Sequence, residues 1–347
     1  MSRDAEKLIR KIPLFAGLDR RELDDLLRIF QRVDFKLGAC LTRQGQPADS
    51  AFIVESGAAD VITALPGGGE VTVATLGPGS VLGEMALLES GTRSATVIAR
   101  EAVAGYFVER DGFRMLLAQL NHAAFTIQGR ITLTLCKRLR ELNAKVMAYN
   151  APEDAAPPAA VSPGAANGVR RGQCSFDYRA FLPVLPVFRG LSAAELDAFA
   201  EKAEVMEIPR GLTLFEQGKA STACYVVVRG AVEVSSAVNG RRHRLGILGP
   251  GKLCGHLALI EEVTHSTTAL ARENATLLEL SKEAFGRLYH GRNRLAAKFQ
   301  DAISENLLQA LARTNNHLTR LISQARIRGN HVDELHRALG AQDCRTA

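Results

Sequence analysis

The sequence predicts an α+β chain, mainly β, built as two β-jelly-roll domains, each opened by a short helix and closed by a long one. Three observations predict it: a length suited to two cores, an internal repeat, and short β-rich runs punctuated by glycine. A chain of 347 residues exceeds one ordinary core, and with 46% hydrophobic residues each half can build its own. The repeat aligns "IPLFAGLDRRELDDLL" from Ile12 with "LPVFRGLSAAELDAFA" from Leu185, placing Pro13 against Pro186. Gly45 then answers Gly218 and Gly57 answers Gly230. After one net deletion "LGPGSVLGEMALLE" meets "LGPGKLCGHLALIE". A nearly gapless repeat this long means two homologous domains and not a solenoid of small units.

Each element follows in order. "DRRELDDLLRIF" and "SAAELDAFAEKA" read as short helices with Asp19 and Ser192 as N-caps. "SAFIVESG", "ADVIT", "EVTVATLG" and "TVIAREAVAGYFVE" are closely spaced strand runs, which argue an antiparallel barrel or jelly roll. One long helical tract closes each copy, over 110–149 and 282–325. On the first, Ile127, Ile131, Leu135, Leu139, Leu142 and Val146 form an apolar stripe at helical spacing. It serves either packing on its own barrel or a homodimer seam. The Ala/Pro/Gly-rich segment 150–173 is a linker, because it cannot bury enough apolar surface to offset the entropy of ordering it. The domains are therefore 1–149 and 174–326, followed by a tail, 327–347.

Bulk properties exclude several classes. The net charge of +6 is modest and the charges are interspersed, so no specific nucleic-acid surface is expected. No apolar run approaches the ~20 residues of a membrane span. The N-terminus lacks the apolar core of a signal peptide. Six scattered cysteines without a CxxC suggest reduced thiols and a cytoplasmic protein. No catalytic constellation, P-loop or kinase signature is present, so an enzyme is not expected.

Chemistry concentrates in "LGEMALLESGTRSATV". Gly83 permits close backbone approach to a ligand. "MALLE" reads as a helical turn whose N-terminus attracts anions. Arg93 suits two phosphate oxygens at once, Ser94 adds a hydroxyl, and Ala95 and Thr96 leave room. Glu84 repels phosphate but can accept from a sugar hydroxyl. The plain alternative is a surface Glu–Arg pair of little energetic consequence. The glycine framework (Gly45, Gly57, Gly77, Gly79, Gly83), the "GE" pair and the "RSATV" ending resemble the phosphate-binding cassette of the cyclic nucleotide-binding domain family. That family includes the catabolite activator protein and the regulatory subunit of cyclic-AMP-dependent protein kinase.

The resemblance implies that Arg93 pairs with the cyclic phosphate and Glu84 with the ribose 2′-hydroxyl. Ser94 and the backbone of Gly83, Met85 and Ala86 complete the cradle. The closing helix of the family folds over the ligand, which places Asn143 near the base; a solvent-facing polar residue is the competing reading. The expected ligand is cyclic AMP, with cyclic GMP second, and no metal. Binding would reposition the closing helix and change domain contacts or contacts with an unidentified protein effector. The alternative is a constitutive scaffold whose barrels hold partners.

In the second copy, "LCGHLALIEEVTHSTTA", His256 replaces Glu84 and His265 replaces Arg93, so tight cyclic nucleotide binding is not expected there. A metal site from Cys254, His256 and His265 matches no standard spacing. Finally, "VRRGQCSF" from Val169 resembles a kinase-inhibitory stretch, although Gln173 stands at its decisive position and a linker end is the simpler reading.

Overall fold

The computed structural model describes residues 3–64, 69–150, 168–238 and 241–327. Most of segment 150–173, and the tail beyond 327, lie outside the described residues. Residues up to Ile131 pack as one compact unit, and residues from Thr132 onward as another.

In the first unit a helix, Arg20–Leu27, opens the repeat with the capping box that "DRRE" announces: the N–H of Glu22 donates to Asp19 and the N–H of Asp19 donates to Glu22, both at 2.8 Å. Two antiparallel sheets follow. One runs Phe30–Phe35, Val103–Glu109, Ser50–Ser56, Val81–Leu82; the other runs Cys40–Thr42, Thr96–Ala99, Ala59–Ala64, Glu70–Leu76. Inward residues alternate along the strands, and Leu41, Phe52, Val54, Ala59, Val97, Ala99 and Val103 make the core between the sheets. The second unit repeats this plan, with its opening helix at Ala193–Ala200 capped by Ser192 and Glu195. Its first sheet gains an edge strand, Arg170–Arg171, paired with Met206 and Glu207. Arg170 and Arg171, near the end of the segment read as linker, thus belong to that first sheet of the second unit. Arg171 is bound there by Glu204 and Glu279, so the "VRRG" arginines have a structural partner in the barrel.

Each closing tract, expected as one helix, is two. The first breaks between Arg110–Ala118 and His122–Asn150, the second between Lys282–Tyr289 and Arg294–Ile327. The cause is local. Leu120 takes a left-handed conformation (φ +58°), and Asn121 restarts the helix by accepting from the N–H of Ala124 at 3.1 Å. Asn293 does the same for Ala296 at 2.8 Å. All six residues of the apolar stripe are buried, but only Ile127 and Ile131 belong to the first unit; Leu135, Leu139, Leu142 and Val146 belong to the second, so the expectation that the stripe packs on its own barrel is corrected for those four.

The division between units falls inside the helix His122–Asn150. In the second unit its later turns bury Leu135, Cys136, Leu139 and Met147 and make three polar contacts. Thr132 and Ser304 share a hydrogen bond of 3.0 Å, Arg140 pairs with Glu261 at 2.9 Å, and Thr314 donates to Asn143 at 3.5 Å. Thr132 and Ser304 are repeat counterparts, so the helix meets its own equivalent there.

Candidate functional site

The site in the first repeat is assembled by three segments. The strand Val81–Leu82 ends at Gly83, whose left-handed backbone (φ +73°) starts a short 3-10 turn, Glu84–Leu87. Only glycine fits: a Cβ there would lie 2.4 Å from Arg93 Nη1 and 2.9 Å from the Ser50 carbonyl. The second segment brings Arg93 in from the far side. Its backbone is held both ways by the Gly45–Gln46 turn, with Gly45 N–H donating to Arg93 O at 2.9 Å and Arg93 N–H to Gln46 O at 2.8 Å.

The third segment, Asp49–Ser50, fixes the guanidinium. Nη1 donates to Ser50 O at 2.7 Å, Nη2 donates to Ser50 Oγ at 2.9 Å, and Asp49 Oδ1 stands 3.6 Å away. The side chain is only 10% exposed. Burial lowers its pKa, the Asp49 carboxylate opposes that, and Arg110 adds to it; an arginine stays charged all the same. A fixed guanidinium therefore lies against Gly83, the residue before Glu84. It is a positive charge oriented before any ligand arrives, and the Glu84 residue that follows Gly83 is half-buried.

Other expected residues fall into place differently. The Ala86 N–H donates to Gly83 O at 2.9 Å and so closes the turn instead of standing spare. Thr96 Oγ1 accepts from the Gln44 N–H at 3.1 Å, tying the end of the cassette to the Gly45 turn. Ser94 is exposed; Met85 and Ala95 are half-buried. Asn143 lies in the second unit and accepts there from Thr314.

Sequence reasoning missed the supports. Ser50 and Asp49 carry no motif of their own, since a serine and an aspartate at a strand start are ordinary turn residues. Arg110 and Arg114, from the helix Arg110–Ala118, clamp the turn from behind. Arg110 Nε donates to Ala86 O at 2.6 Å and its Nη2 to Ala48 O, while Arg114 donates to Leu88 O. They satisfy carbonyls that a turn of four residues leaves without helical partners.

The second repeat keeps the frame. Gly218 N–H donates to His265 O at 2.8 Å and His265 N–H to Lys219 O at 2.9 Å, while Gly255 is left-handed (φ +83°). The charges are gone. The His265 ring is buried and stacked on Phe215 with centroids 4.0 Å apart. His256 is buried with neither ring nitrogen hydrogen-bonded among the described residues. Burial pushes its pKa down to about 4 and lowers that of His265 as well, so both are neutral near pH 7. Cys254 is a buried thiol pushed up to about 12, and no metal-binding cluster occurs among the described residues.

A family model described as "Cyclic nucleotide-binding domain" covers residues 32–120 and 205–292, about half of the chain. The cAMP-dependent protein kinase regulatory subunit of Mycosarcoma maydis is 26% identical over 291 residues, covering 79% of this chain and 46% of that protein. The Cyclic AMP receptor protein of Thermus thermophilus is 36% identical over 129 residues, 37% of this chain and 58% of that protein. Among solved structures, the regulatory domain of Toxoplasma gondii PKA with cAMP is 21% identical, covers 88% of this chain and 96% of that one, and has a TM-score of 0.33. The chain spans about half the length of the curated relatives it matches.

Proposed function

The chain belongs to the cyclic nucleotide-binding domain family, and on that premise we propose that its first repeat is a cyclic nucleotide receptor and its second a non-binding regulatory module. The observation that carries this is the Arg93 guanidinium, fixed by Ser50 against Gly83 in the first repeat and replaced by a neutral stacked histidine in the second. Arg93 takes the cyclic phosphate with two charge-assisted bonds, Glu84 takes the ribose 2′-hydroxyl, and Ser94, Ala95 and Thr96 border the phosphate. Gly83, Met85 and Ala86 shape the turn around it. Cyclic AMP is the preferred ligand and cyclic GMP the second.

Binding acts on the closing helix, whose residues from Thr132 onward pack within the second unit, and Asn143 is released from Thr314 to serve the base. The response is a change in the surface offered to a protein effector, so the chain regulates rather than catalyses, in the cytoplasm. Because the apolar stripe is covered within one chain, a homodimer would have to form through another surface.

Calorimetric titration of cyclic AMP and cyclic GMP into the full chain tests this. The expected result is one site per chain, tighter for cyclic AMP and lost in Arg93→Ala. Two sites would restore the second repeat to the ligand-binding class. No heat from either nucleotide would leave the scaffold reading.

A further inference from the structure

The second repeat has a cavity of about 250 Å³ lined by Ser221, Ala258, Leu259, Glu262, Thr264 and Lys282, among others. Its position acquires meaning from the first repeat. Under the repeat alignment Ser221 answers Ala48, Ala258 answers Ala86, Lys282 answers Arg110 and Gly286 answers Arg114. The backbone confirms the match, since Arg110 N–H donates to Asp49 O and Lys282 N–H to Thr222 O, each at 2.8 Å. Ala48 and Ala86 are the residues whose carbonyls accept from the Arg110 guanidinium, and Leu88, the counterpart of Ile260, accepts from Arg114. The cavity therefore occupies the place that a guanidinium fills in the first repeat.

Two further features suit that occupant. The Ser221 hydroxyl is buried and has no hydrogen-bond partner among the described residues. An orphaned buried hydroxyl is costly and is relieved by a donor brought from outside. Glu262 brings a carboxylate to the rim. Lys282 does not replace Arg110: an ammonium is a strongly hydrated point charge, and it lacks the planar fork that reaches several acceptors at once. At Gly286 there is no side chain at all.

We propose that this cavity is a socket for an arginine side chain supplied by a partner protein. The partner's guanidinium takes the place that Arg110 holds in the first repeat, donating to Ser221 and pairing with Glu262. The socket is independent of nucleotide and lies outside the cassette proper. It gives the second repeat, which has lost the charged pair of its cassette, a means of holding a protein segment.

The test is titration of an acetylated, amidated Gly-Arg-Gly peptide into the full chain, followed by methyl NMR of Ala258, Leu259 and Val263. Saturable shifts at these methyls are expected in the millimolar range, with Gly-Lys-Gly about tenfold weaker. Lys282→Arg combined with Gly286→Arg refills the socket from within and should abolish the shifts. A Cβ at Gly286 meets nothing within 4 Å, so a side chain can start from that position without a clash at its first atom. Ser221→Val, a smaller change, should weaken the arginine peptide several-fold and leave the lysine peptide nearly unaffected. Equal shifts with both peptides, shifts that persist in the refilled chain, or none with arginine would each overturn the proposal. Cyclic AMP titration of the same variants separates this result from the nucleotide reading, because the socket variants should bind nucleotide as the parent does.

Discussion

In the first repeat the Gly45–Gln46 turn grips the backbone of Arg93, and in the second the Gly218–Lys219 turn grips His265 with nearly identical hydrogen bonds. Thr96 ties Gln44 at 3.1 Å, as Thr268 ties Gln217 at 3.0 Å. What stands on that frame differs. Arg93 is anchored by the Ser50 hydroxyl and carbonyl, whereas the counterpart of Ser50 is Ala223, which has no hydroxyl, and His265 lies flat on Phe215. Glu84 is half-buried, whereas His256 is sealed in and neutral. The backbone frame of the loop is thus the same in both repeats while the side chains on it differ, because the frame's hydrogen bonds stabilise the barrel whatever those side chains are.

The largest expected effect that would break this comparison is at Arg93. Arg93→Ala should cost about 100-fold or more in cyclic nucleotide affinity, the loss of two charge-assisted hydrogen bonds. His265→Ala should leave the calorimetric affinity unchanged. If the histidine variant loses affinity too, the repeats are functionally equivalent after all.

Next in size is a pH effect confined to the second repeat. The folded pKa of His256, about 4, lies below its ordinary value of 6.5, so the unfolded chain binds the proton more readily. Stability is fully present above pH 6.5 and is lost as pH falls toward 4, by about 3 kcal/mol from this one group. His265, also lowered by burial, adds in the same direction. Hydrogen-exchange protection factors, corrected for the intrinsic pH dependence of amide exchange, should fall in the strand Ala223–Arg229 over that window while those of Ser50–Ser56 change less, and His256→Leu should flatten the difference.

Smaller again is the glycine pair. Gly83→Ala forces a Cβ against Arg93 and the Ser50 carbonyl in a left-handed backbone and should cost about 2 kcal/mol, with lower nucleotide affinity. Gly255→Ala meets its nearest neighbour at 3.0 Å and should cost about 1 kcal/mol with no effect on affinity. Thermal melts and titrations read both.

The smallest effect is at the Arg140–Glu261 pair, where Glu261 is nearly buried and Arg140 about one-third exposed. Arg140→Ala should destabilise the second unit by about 1 kcal/mol, because the carboxylate loses its counter-charge. Burial already raises the Glu261 pKa against the pull of Arg140, so the variant should favour the protonated acid more strongly. Its stability should therefore fall more steeply than the parent's as pH rises through that raised pKa.

Much of this was legible in the residues. Alternating apolar runs and turn glycines marked the strands, "DRRE" and "SAAE" marked the helix starts, and the repeat exposed the altered charges at His256 and His265. Other features were not. The break at Leu120 depends on one asparagine cap inside an otherwise helical pattern, and tract periodicity does not register a single cap. Ser50 and Arg110 are 43 and 24 residues from the groups they hold, Arg93 and Ala86, so no local pattern joins them.

By itself the sequence determined that two homologous jelly rolls would form, where their strand runs and opening helices would lie, and which repeat would keep the arginine and glutamate of the cassette. These follow from periodicity, backbone preference and formal charge, all properties of a residue and its near neighbours. Only the tertiary structure decided that Arg93 is aimed by Ser50, that the closing helix changes units at Thr132, and that removing two arginines from the second repeat leaves a cavity. Those outcomes depend on which distant groups arrive within hydrogen-bond reach, and folding settles that by packing the whole chain at once.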